Sequence, residues 1–404
     1  MRILFLTTAN LTTNPRLLKE VKLALENRYT PTVVLFDFDN WTTEIEEGLR
    51  KSLPRVDFIA ITATREAFRS WLLASGLQVL LRKLHRLLPF PLRLCAFASD
   101  KRSFLLESNI KHLPNKFDLV ISHNLGALYP AYSFAAQHKI PFASDIEDFH
   151  PGETIATDAR HEVARRETLM KELLPKATYI SYASPLIGKA ATDLVPGLQK
   201  QNHFLINNAF SETEFLKPAQ YSGEKIRFVW FSQNIATGRG LEIVVPVLFK
   251  YRDDVQLTLI GNLVPSFYES FLKKFDELIV YTKPFPQEAL HQELSRFDIG
   301  LALELKSADS NRDICLTNKI FAYAQAGLFI LATDTKAQEL FIRQNPQLGV
   351  TFGQSSKAFE ERVKCMIDQK EEILSNKMQR FVTGSKLAWE GEAVKLLETW
   401  KAFQ

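Results

Sequence analysis

The chain has 404 residues, of which 46% are hydrophobic and 24% are charged, so it can form two or three domains with sizeable buried cores. Its formal net charge of +4 is too small to indicate a dedicated nucleic-acid binder, and we expect no nucleic-acid partner. The three cysteines are widely spaced, which indicates neither a disulfide framework nor a cysteine metal cluster and favours a reducing, cytoplasmic compartment.

Apolar segments of strand length alternate with helical patterns along the first half of the chain. We predict strands at residues 3–7, 32–36, 58–61, 119–122, 142–145, 179–181 and 202–206, and helices at 14–27 and 128–137. The polar stretch 211–225 contains Pro218 and Gly223 and is the predicted linker. Strand and helix in alternation predict a parallel, doubly wound sheet.

The same alternation starts again after the linker. We predict strands at residues 226–231, 255–260, 278–281, 299–303 and 328–333, and helices at 241–251, 267–275, 287–295 and 385–403, with one more beginning near Thr317. The fold class is therefore α/β, with two Rossmann-like doubly wound domains. Ligands of such sheets lie beyond the carboxyl ends of the strands, so the segments that follow strands are the candidate sites.

The segment 311–327 is the strongest indication of a ligand. It runs from a polar loop into a helix that begins near Thr317, and such a helix start has free backbone N–H groups and a partial positive charge. Lys319 in the first turn adds a full charge, so we predict a site for a phosphorylated, nucleotide-bearing ligand. Glu304 and Asp313 could hydrogen-bond ribose or sugar hydroxyls.

A second candidate follows the first strand after the linker. Gly238 and Gly240 allow tight turns and close approach of a ligand, and Arg239 between them can bind a phosphate through two hydrogen bonds. Ser232 and Gln233 precede this loop and belong to the same predicted site.

Polar residues also follow strands in the first half. Asn14 and Pro15 suit a helix start, where Asn14 is either a simple cap or a ligand contact, and Arg16 follows them. His123 and Asn124 follow the strand at 119–122. A lone histidine of this kind is more often structural than catalytic.

The segment 145–153 concentrates ionisable groups directly after a strand. It contains the following carboxylates and imidazole: Asp145, Glu147, Asp148, His150 and Glu153. Crowded carboxylates and a nearby histidine perturb one another's pKa values. The segment could supply a proton acceptor, bind sugar hydroxyls, bind a divalent metal through oxygen ligands or be a solvated acidic loop.

In order and spacing, several segments resemble the GT-B glycosyltransferases, in particular the family-4 retaining enzymes. These segments are 14–16 at the first helix, 298–301 and 318–323 with Gly327 at the donor site, and 389–400 in the final helix. The resemblance covers nearly the whole chain. It implies two domains that face a central cleft: an acceptor-side domain at 1–210, the linker, a nucleotide-sugar-binding domain at 226–384, and a helix at 385–404 that crosses back.

The chain departs from the family pattern at several positions. The family's two glutamates would fall near Ile314 and at Ala322, where neither is present. Its basic pair maps onto Gln233 and Arg239, so one charge is missing, and Glu147 stands where many members have a histidine. The glycine-rich loop after the first strand is absent.

The resemblance implies a retaining, metal-independent hexosyltransferase, as in polysaccharide biosynthesis, with no cofactor besides its nucleotide-diphosphate sugar donor and with a glycan or lipid-linked acceptor. Three groups of residues would form the site: catalytic Asp145, Glu147, Asp148, His150, Arg239 and Lys319; donor-binding Ser232, Gln233, Gly238, Gly240, Glu304, Asn311, Asp313, Thr317 and Asn318; acceptor-side Asn14, Arg16, His123, Asn124 and Glu153. Two alternatives are a sugar-nucleotide 2-epimerase and a catalytically degenerate scaffold that binds a nucleotide or a partner.

The segment 65–102 adds one further expected partner, a membrane surface. It holds eight Lys or Arg residues against two acidic ones and is interspersed with leucines. Such a basic amphipathic segment is either a peripheral contact with anionic lipid or an ordinary buried helix pair with a basic outer side. No stretch of roughly 18 or more apolar residues predicts a spanning helix.

Overall fold

The computed structural model of the chain describes residues 1–62, 64, 67–114, 116–200, 202–218 and 223–403, with the side chains of 199 and 200 left out. The chain divides into two compact units: unit 1 comprises Met1–Ile206 and Ala393–Gln404, and unit 2 comprises Asn207–Glu392. The predicted linker, 211–225, therefore falls within unit 2, and its residues 219–222 lie outside the described residues.

Unit 1 contains a sheet of seven parallel strands in the order β3-β2-β1-β4-β5-β6-β7. Its strands are β1 Arg2–Thr7, β2 Thr30–Asp37, β3 Asp57–Thr62, β4 Leu119–His123, β5 Phe142–Ile146, β6 Tyr179–Tyr182 and β7 His203–Leu205. Its helices are α1 Pro15–Glu26, α2 Thr43–Lys51, α3 Phe68–Leu84, α4 Leu92–Ser99, α5 Lys101–Ile110, α6 Leu125–His138, α7 Ala159–Leu173 and α8 Pro185–Leu194, with 3-10 helices at His150–Gly152, Leu174–Lys176 and Pro196–Lys200.

Unit 2 contains six parallel strands in the order β10-β9-β8-β11-β12-β13. Its strands are β8 Ile226–Ile235, β9 Val255–Leu263, β10 Ile279–Thr282, β11 Ile299–Ala302, β12 Phe329–Thr333 and β13 Gly349–Phe352. Its helices are α9 Leu241–Lys250, α10 Pro265–Ser270, α11 Gln287–Leu294, α12 Ser310–Ile314, α13 Asn318–Gln325, α14 Lys336–Gln344, α15 Ser356–Asp368, α16 Lys370–Ser375 and α17 Lys377–Ser385, with 3-10 helices at Glu212–Glu214, Leu272–Phe275 and Pro346–Leu348. The last helix, α18 Trp389–Lys401, begins in unit 2, and its residues from Ala393 onward belong to unit 1.

The central strands are apolar on both faces because helices cover both sides of each sheet. In β1, residues 3–6 are fully buried, and they pair in parallel with β2 on one side and β4 on the other. In both units the chain leaves the first strand toward one edge and returns to its other side, so the switch points lie between β1 and β4 and between β8 and β11. The prediction of two doubly wound sheets is confirmed.

Two glycines allow α13 to pack closely against its neighbours in unit 2. A Cβ atom at Gly300 on β11 would lie 2.4 Å from the Tyr323 ring, and one at Gly384 on α17 would lie 1.8 Å from the Ala324 carbonyl oxygen. Because no side chain intervenes, α13 packs directly on β11 and on the backbone of α17. This packing fixes the direction in which the N-terminus of α13 points.

Two predicted helices differ from the structure. The helix predicted at 267–275 ends at Ser270, and a 3-10 helix follows it, because Phe271 adopts φ −133° and ψ −57°. The helix predicted at 385–403 begins only at Trp389, since Ser385 ends α17. The strand β13 was not predicted. Among the described residues, no helix is long and apolar enough to cross a membrane.

Candidate functional site

The candidate donor residues of unit 2 collect around the buried carboxylate of Glu304, just beyond the end of β11. Lys319 donates from Nζ to Glu304 Oε1 at 3.2 Å, and Arg312 donates from Nη1 to Oε2 at 3.0 Å. Burial alone would raise the pKa of Glu304, but the two cations, Lys319 foremost, outweigh it and hold the pKa below its ordinary value. Thr333 fixes the Glu304 backbone, accepting from its N–H at 2.9 Å.

The Gly-Arg-Gly loop lies against this carboxylate-containing segment. Gly238 and Gly240 have φ values of 75° and 84°, which favour glycine, and a Cβ atom at Gly240 would lie 3.2 Å from Leu303 Cβ. Glu242 closes the loop by accepting from the Gly238 N–H at 2.7 Å. Arg239 at its tip is exposed, and within the described part of the chain no ion pair engages it.

The other donor-side candidates fall into two groups. Ser232 and Gln233 lie on β8, where the pairing with β9 shifts register, and Gln233 is exposed. Thr317 is the N-cap of α13, and Asn318 in its first turn accepts a hydrogen bond from Asn208. These residues lie beside the loop and the helix start that the sequence identified.

Two donor-side candidates make contacts within the chain, and their donor-binding roles stay predictions. Asn311 is buried on α12. Asp313 accepts from the Lys336 backbone N–H at 2.9 Å and pairs with Lys336 Nζ at 2.7 Å. It therefore fastens α12 to the start of α14, and these contacts occupy the oxygens that were predicted to bind sugar hydroxyls.

In unit 1, the predicted residues Arg16 and Asp145 form a buried ion pair. Arg16 donates from Nε to Asp145 Oδ2 at 2.7 Å and from Nη2 to Oδ1 at 2.5 Å, and its Nη1 donates to the Ile206 carbonyl at 2.7 Å. Ser181 donates to Asp145 Oδ1 at 2.5 Å. Burial would raise the pKa of Asp145, but Arg16 outweighs it and lowers the pKa. The pair joins α1 to the carboxyl end of β5.

His123 lies beside this pair, fully buried among carboxylates. Its Nδ1 is 3.3 Å from Glu147 Oε1 and 3.5 Å from Asp145 Oδ2, and its Nε2 is 3.4 Å from Glu20 Oε2. Burial opposes protonation of His123, but the surrounding carboxylates, Glu20 foremost, outweigh it and raise its pKa well above the ordinary value. Burial also raises the pKa of Glu20.

Three of the predicted site residues in this cluster are buried. Arg16, His123 and Asp145 are each at most 3% exposed and hold the strand ends in position, and their roles toward an acceptor stay predictions. Glu147, whose side chain is 21% exposed, is the member that reaches the surface.

The same cluster supplies atoms of the types that bind metals. Glu20, His123 and Asp145 place one such atom each within 4.8 Å of one another. Both Asp145 oxygens, however, are engaged by Arg16 and Ser181, so a guanidinium already balances the charge. The donor set fits an ion-pair cluster better than a divalent cation.

The rest of the acidic segment is organised by hydrogen bonds. His150 accepts from the Leu125 backbone N–H at Nε2 (3.2 Å), which leaves Nδ1 as the protonated nitrogen, 3.0 Å from Glu153 Oε1. The opposite oxygen of Glu153 pairs with Arg166 at 2.7 Å. Asp148 lies in the preceding turn. Both ring nitrogens of His150 thus engage neighbouring groups of the chain, and its catalytic role stays a prediction.

The loop after β1 is held from within. Asn14 is buried and caps α1 by accepting from the Leu17 N–H at 2.9 Å, and its acceptor-side role stays a prediction. Buried Glu46 of α2 accepts from the N–H groups of Leu11 at 3.3 Å and Thr12 at 2.9 Å. The loop backbone is thus fixed by a carboxylate of the same chain.

Sequence reasoning missed Glu20, Glu46 and Arg312. Glu20 follows Arg16 by four residues, so both lie on one face of α1, and this spacing could have linked them. Glu46 carried no comparable signal, since it acts from α2 on the loop after β1. Arg312 lies eight residues after Glu304, so its nearness in sequence could have linked the two.

The chain has the GT-B fold, as comparison with solved structures shows. The predicted resemblance to GT-B glycosyltransferases is thereby confirmed at the level of the fold. Anabaena Alr3699/HepE in complex with UDP is similar, with 12% identity over 100% of both chains and a TM-score of 0.68. Sucrose-phosphate synthase from Thermosynechococcus elongatus shows 10% identity over 100% of this chain and 99% of that one, with a TM-score of 0.67.

A third similar structure is a putative UDP-N-acetylglucosamine 2-epimerase from Listeria monocytogenes, with 11% identity over 98% of this chain and 94% of that one, and a TM-score of 0.58. No protein-family model and no curated protein matches the chain.

Proposed function

We propose that the chain is a retaining, metal-independent hexosyltransferase that moves a sugar from a nucleotide-diphosphate sugar to a glycan or lipid-linked acceptor in polysaccharide biosynthesis. The observation that carries the proposal is the grouping of Lys319 and Arg312 around Glu304, beside the exposed Arg239, at the switch point of the unit 2 sheet. Two cations flank one carboxylate there, and Arg239 on the adjoining loop adds a third positive charge that no described ion pair engages, which suits a doubly charged diphosphate. The similarity to a structure holding UDP supports the same ligand class.

The chemistry follows from where charge develops. As the bond between the anomeric carbon and the phosphate oxygen breaks, negative charge grows on the leaving diphosphate, and Arg239, Lys319 and the start of α13 stabilise it. One such preorganised donor lowers a barrier by roughly 3 kcal/mol. Retention then needs no nucleophilic side chain, because the departing phosphate accepts the proton of the acceptor hydroxyl.

The test uses UDP first, then GDP, followed by the corresponding sugar nucleotides. We expect UDP or GDP to raise the melting temperature, and we expect Lys319→Gln and Arg239→Gln to lower turnover at least roughly tenfold. The matched controls are Lys273→Gln and Arg296→Gln, which remove exposed cations from helical surface pairs of the same unit. Normal turnover in both site variants refutes the assigned roles, and turnover that disappears with EDTA refutes metal independence.

A 2-epimerase is the second candidate, since the fold is also that of the putative epimerase named above. Product analysis separates the two: an epimerase gives an isomerised sugar nucleotide without any acceptor. Binding of UDP or GDP with no turnover on any acceptor would instead favour a catalytically degenerate scaffold.

We also propose that α3 contacts an anionic membrane surface, peripherally and from the cytoplasmic side. Residues 65 and 66 of the predicted segment lie outside the described residues. The outer face of α3 and the turn after it expose a continuous set of large apolar side chains: Phe68, Leu72, Leu73, Val79, Leu80, Leu84, Leu87 and Leu88. Arg69, Lys83 and Arg86 lie beside them and are exposed. A patch of this size with basic flanks suits anionic lipid.

Vesicle co-sedimentation tests this contact. We expect binding to vesicles containing phosphatidylglycerol, and we expect Leu72→Gln/Leu80→Gln to abolish it. The control is Met378→Gln/Val382→Gln, which alters two exposed apolar residues four positions apart on α17. Binding that does not depend on anionic lipid content, or that survives in the α3 variant, contradicts the proposal.

A further inference from the structure

A cavity of about 560 Å³ opens at the carboxyl edge of the unit 1 sheet. The loops after β1, β2, β4 and β5 form its floor, and α3, α5 and α7 form its walls. Its volume lies in the range of small-molecule sites. It is separate from the buried cluster around His123, which does not line it.

One wall of the cavity carries an aromatic ring that is held in place. Trp71 of α3 lines the cavity, and Lys101 Nζ lies 4.8 Å from the centre of its ring while donating to Ser75 Oγ at 3.1 Å. On the same helix, Gln78 and Arg82 donate to the last carbonyls of α4, at 3.0 and 2.8 Å. α3 is therefore fixed, and the ring is preset before any ligand arrives.

The facing wall presents hydrogen-bonding groups in fixed orientations. Thr8 Oγ1 donates to Asn124 Oδ1 at 2.8 Å, and the amide of Asn124 donates to Thr7 Oγ1 at 2.9 Å, so the Asn124 side chain is fixed in orientation. Asp100 accepts from the backbone N–H of Arg102 at 2.9 Å through Oδ1. A Cβ atom at Gly126 would lie 2.7 Å from Asp100 Oδ2, so only a glycine at this position leaves room for that oxygen.

The charges that line the cavity balance. Its cations are Lys101, Arg102 and Arg166, and its carboxylates are Asp100, Glu153 and Glu162, so three positive and three negative charges cancel. Arg102 pairs with Asp100 at 3.2 Å, and Arg166 pairs with both glutamates, at 2.7 and 3.0 Å.

The cavity thus presents both donors and acceptors around the Trp71 ring, and the charges of its Lys, Arg, Asp and Glu residues balance. A sugar hydroxyl both donates and accepts, so it can use adjacent cations and carboxylates together. A phosphate accepts only, and Asp100 and Glu153 would repel it. The apolar side of a sugar ring can lie on Trp71.

We propose that this cavity binds the neutral saccharide portion of the acceptor, with Trp71 and Asp100 as its specificity-determining residues. Calling the ligand an acceptor rests on the proposed transferase function, whereas the saccharide site itself does not. Phe68 of the exposed apolar patch stacks with Trp71, with 6.4 Å between the ring centres, so an acceptor on a lipid surface would place its lipid and its sugar on adjoining parts of α3.

The experiment measures binding of soluble amphiphiles to the full chain by ligand-observed NMR. The probes are the octyl β-glycosides of glucose, galactose, mannose and N-acetylglucosamine, below their micelle concentrations, with octyl phosphate as the anionic counterpart. We expect at least one glycoside to bind more tightly than octyl phosphate. We expect Trp71→Leu and Asp100→Asn each to weaken that binding at least tenfold. Asparagine retains the helix cap that Asp100 provides, so the fold should persist.

The matched controls are Trp41→Leu and Asp193→Asn, which change exposed residues that do not line the cavity. Octyl phosphate binding more tightly than every glycoside, no glycoside binding, or unchanged binding in both cavity variants overturns the inference. The UDP melting shift is measured on the same samples. If glycosides bind while no nucleotide does, the proposed function fails and the saccharide site stands. If UDP binds and its sugar nucleotide is turned over while no glycoside binds, the saccharide site fails and the proposed function stands.

Discussion

The buried pair of Arg16 and Asp145 predicts a large and specific loss of stability when one charge is removed. Asp145→Asn preserves the shape of the side chain but leaves the Arg16 guanidinium, 3% exposed, without its anion. Breaking a buried pair in this way costs about 3–5 kcal/mol. The loss should affect unit 1, since Arg16, Ser181 and Ile206 all belong to it.

The double variant Arg16→Met/Asp145→Asn separates the uncompensated charge from lost packing. It removes both charges, and the main interaction lost besides the ion pair is the hydrogen bond to the Ile206 carbonyl, which contributes about 1 kcal/mol. We therefore expect the double variant to be more stable than Asp145→Asn alone by at least roughly 2 kcal/mol.

Hydrogen exchange followed by mass spectrometry gives the readout, because the chain contains an internal reference. Peptides covering β4 to β6 report on unit 1, and peptides covering β8 and β9 report on unit 2. Each 1.36 kcal/mol is tenfold, so protection in β4 to β6 should fall about a hundredfold or more in Asp145→Asn while β8 and β9 stay unchanged. A loss below about 1 kcal/mol, or a double variant no better than the single one, would refute the reasoning.

Three further predictions concern both units. The pKa of His123 is raised, so its contribution to stability is complete below its unfolded pKa of 6.5 and is lost as the pH rises through its folded pKa. The free energy of unfolding of unit 1 in urea should therefore fall with rising pH, and it should fall less in His123→Gln. Burial lowers the pKa of Lys377 from 10.5 to about 8, so the unfolding free energy of unit 2 should rise between those pH values, and Lys377→Met should remove the rise. Gly384→Ala places a methyl group 1.8 Å from the Ala324 carbonyl and should lower the melting temperature, whereas Gly391→Ala meets no atom within 4 Å and should not.

Much of the fold followed from the sequence because parallel strands buried on both faces are apolar runs. Residues 3–6 and 228–230 are such runs, and each became a first strand at a switch point. The strand β13 was missed because Gly349–Phe352 has only four residues and little apolar character. The break at Phe271 was missed because the apolar pattern continues through it.

The site was predicted in its neighbourhood but not in its contacts. Strand ends identified Glu304, Asp145 and His123, because parallel strands align their carboxyl ends at one edge. The contacts of those residues depend on how deeply each is buried. Burial is set by tertiary packing, which a pattern in the sequence does not show. His123 looked like a surface residue after a strand, yet it is fully enclosed.

The cavity in unit 1 illustrates the same limit. Its residues come from many helices and loops of unit 1, and the two decisive ones, Trp71 and Asp100, are far apart in sequence. The sequence did supply the apolar and basic pattern of α3, but it left open whether both faces of that helix would be covered. The structure covers one face and leaves the other exposed.

Glu46 has a consequence for ligand binding in unit 1. Its carboxylate occupies the two backbone N–H groups that the loop after β1 could otherwise offer to an anion. As a tethered group it acts as an intramolecular competitor, present at an effective concentration of about millimolar or higher. A free phosphate would have to displace this carboxylate from both N–H groups while Arg50 continues to hold it, at 3.1 Å. Glu46 therefore disfavours anion binding in this loop.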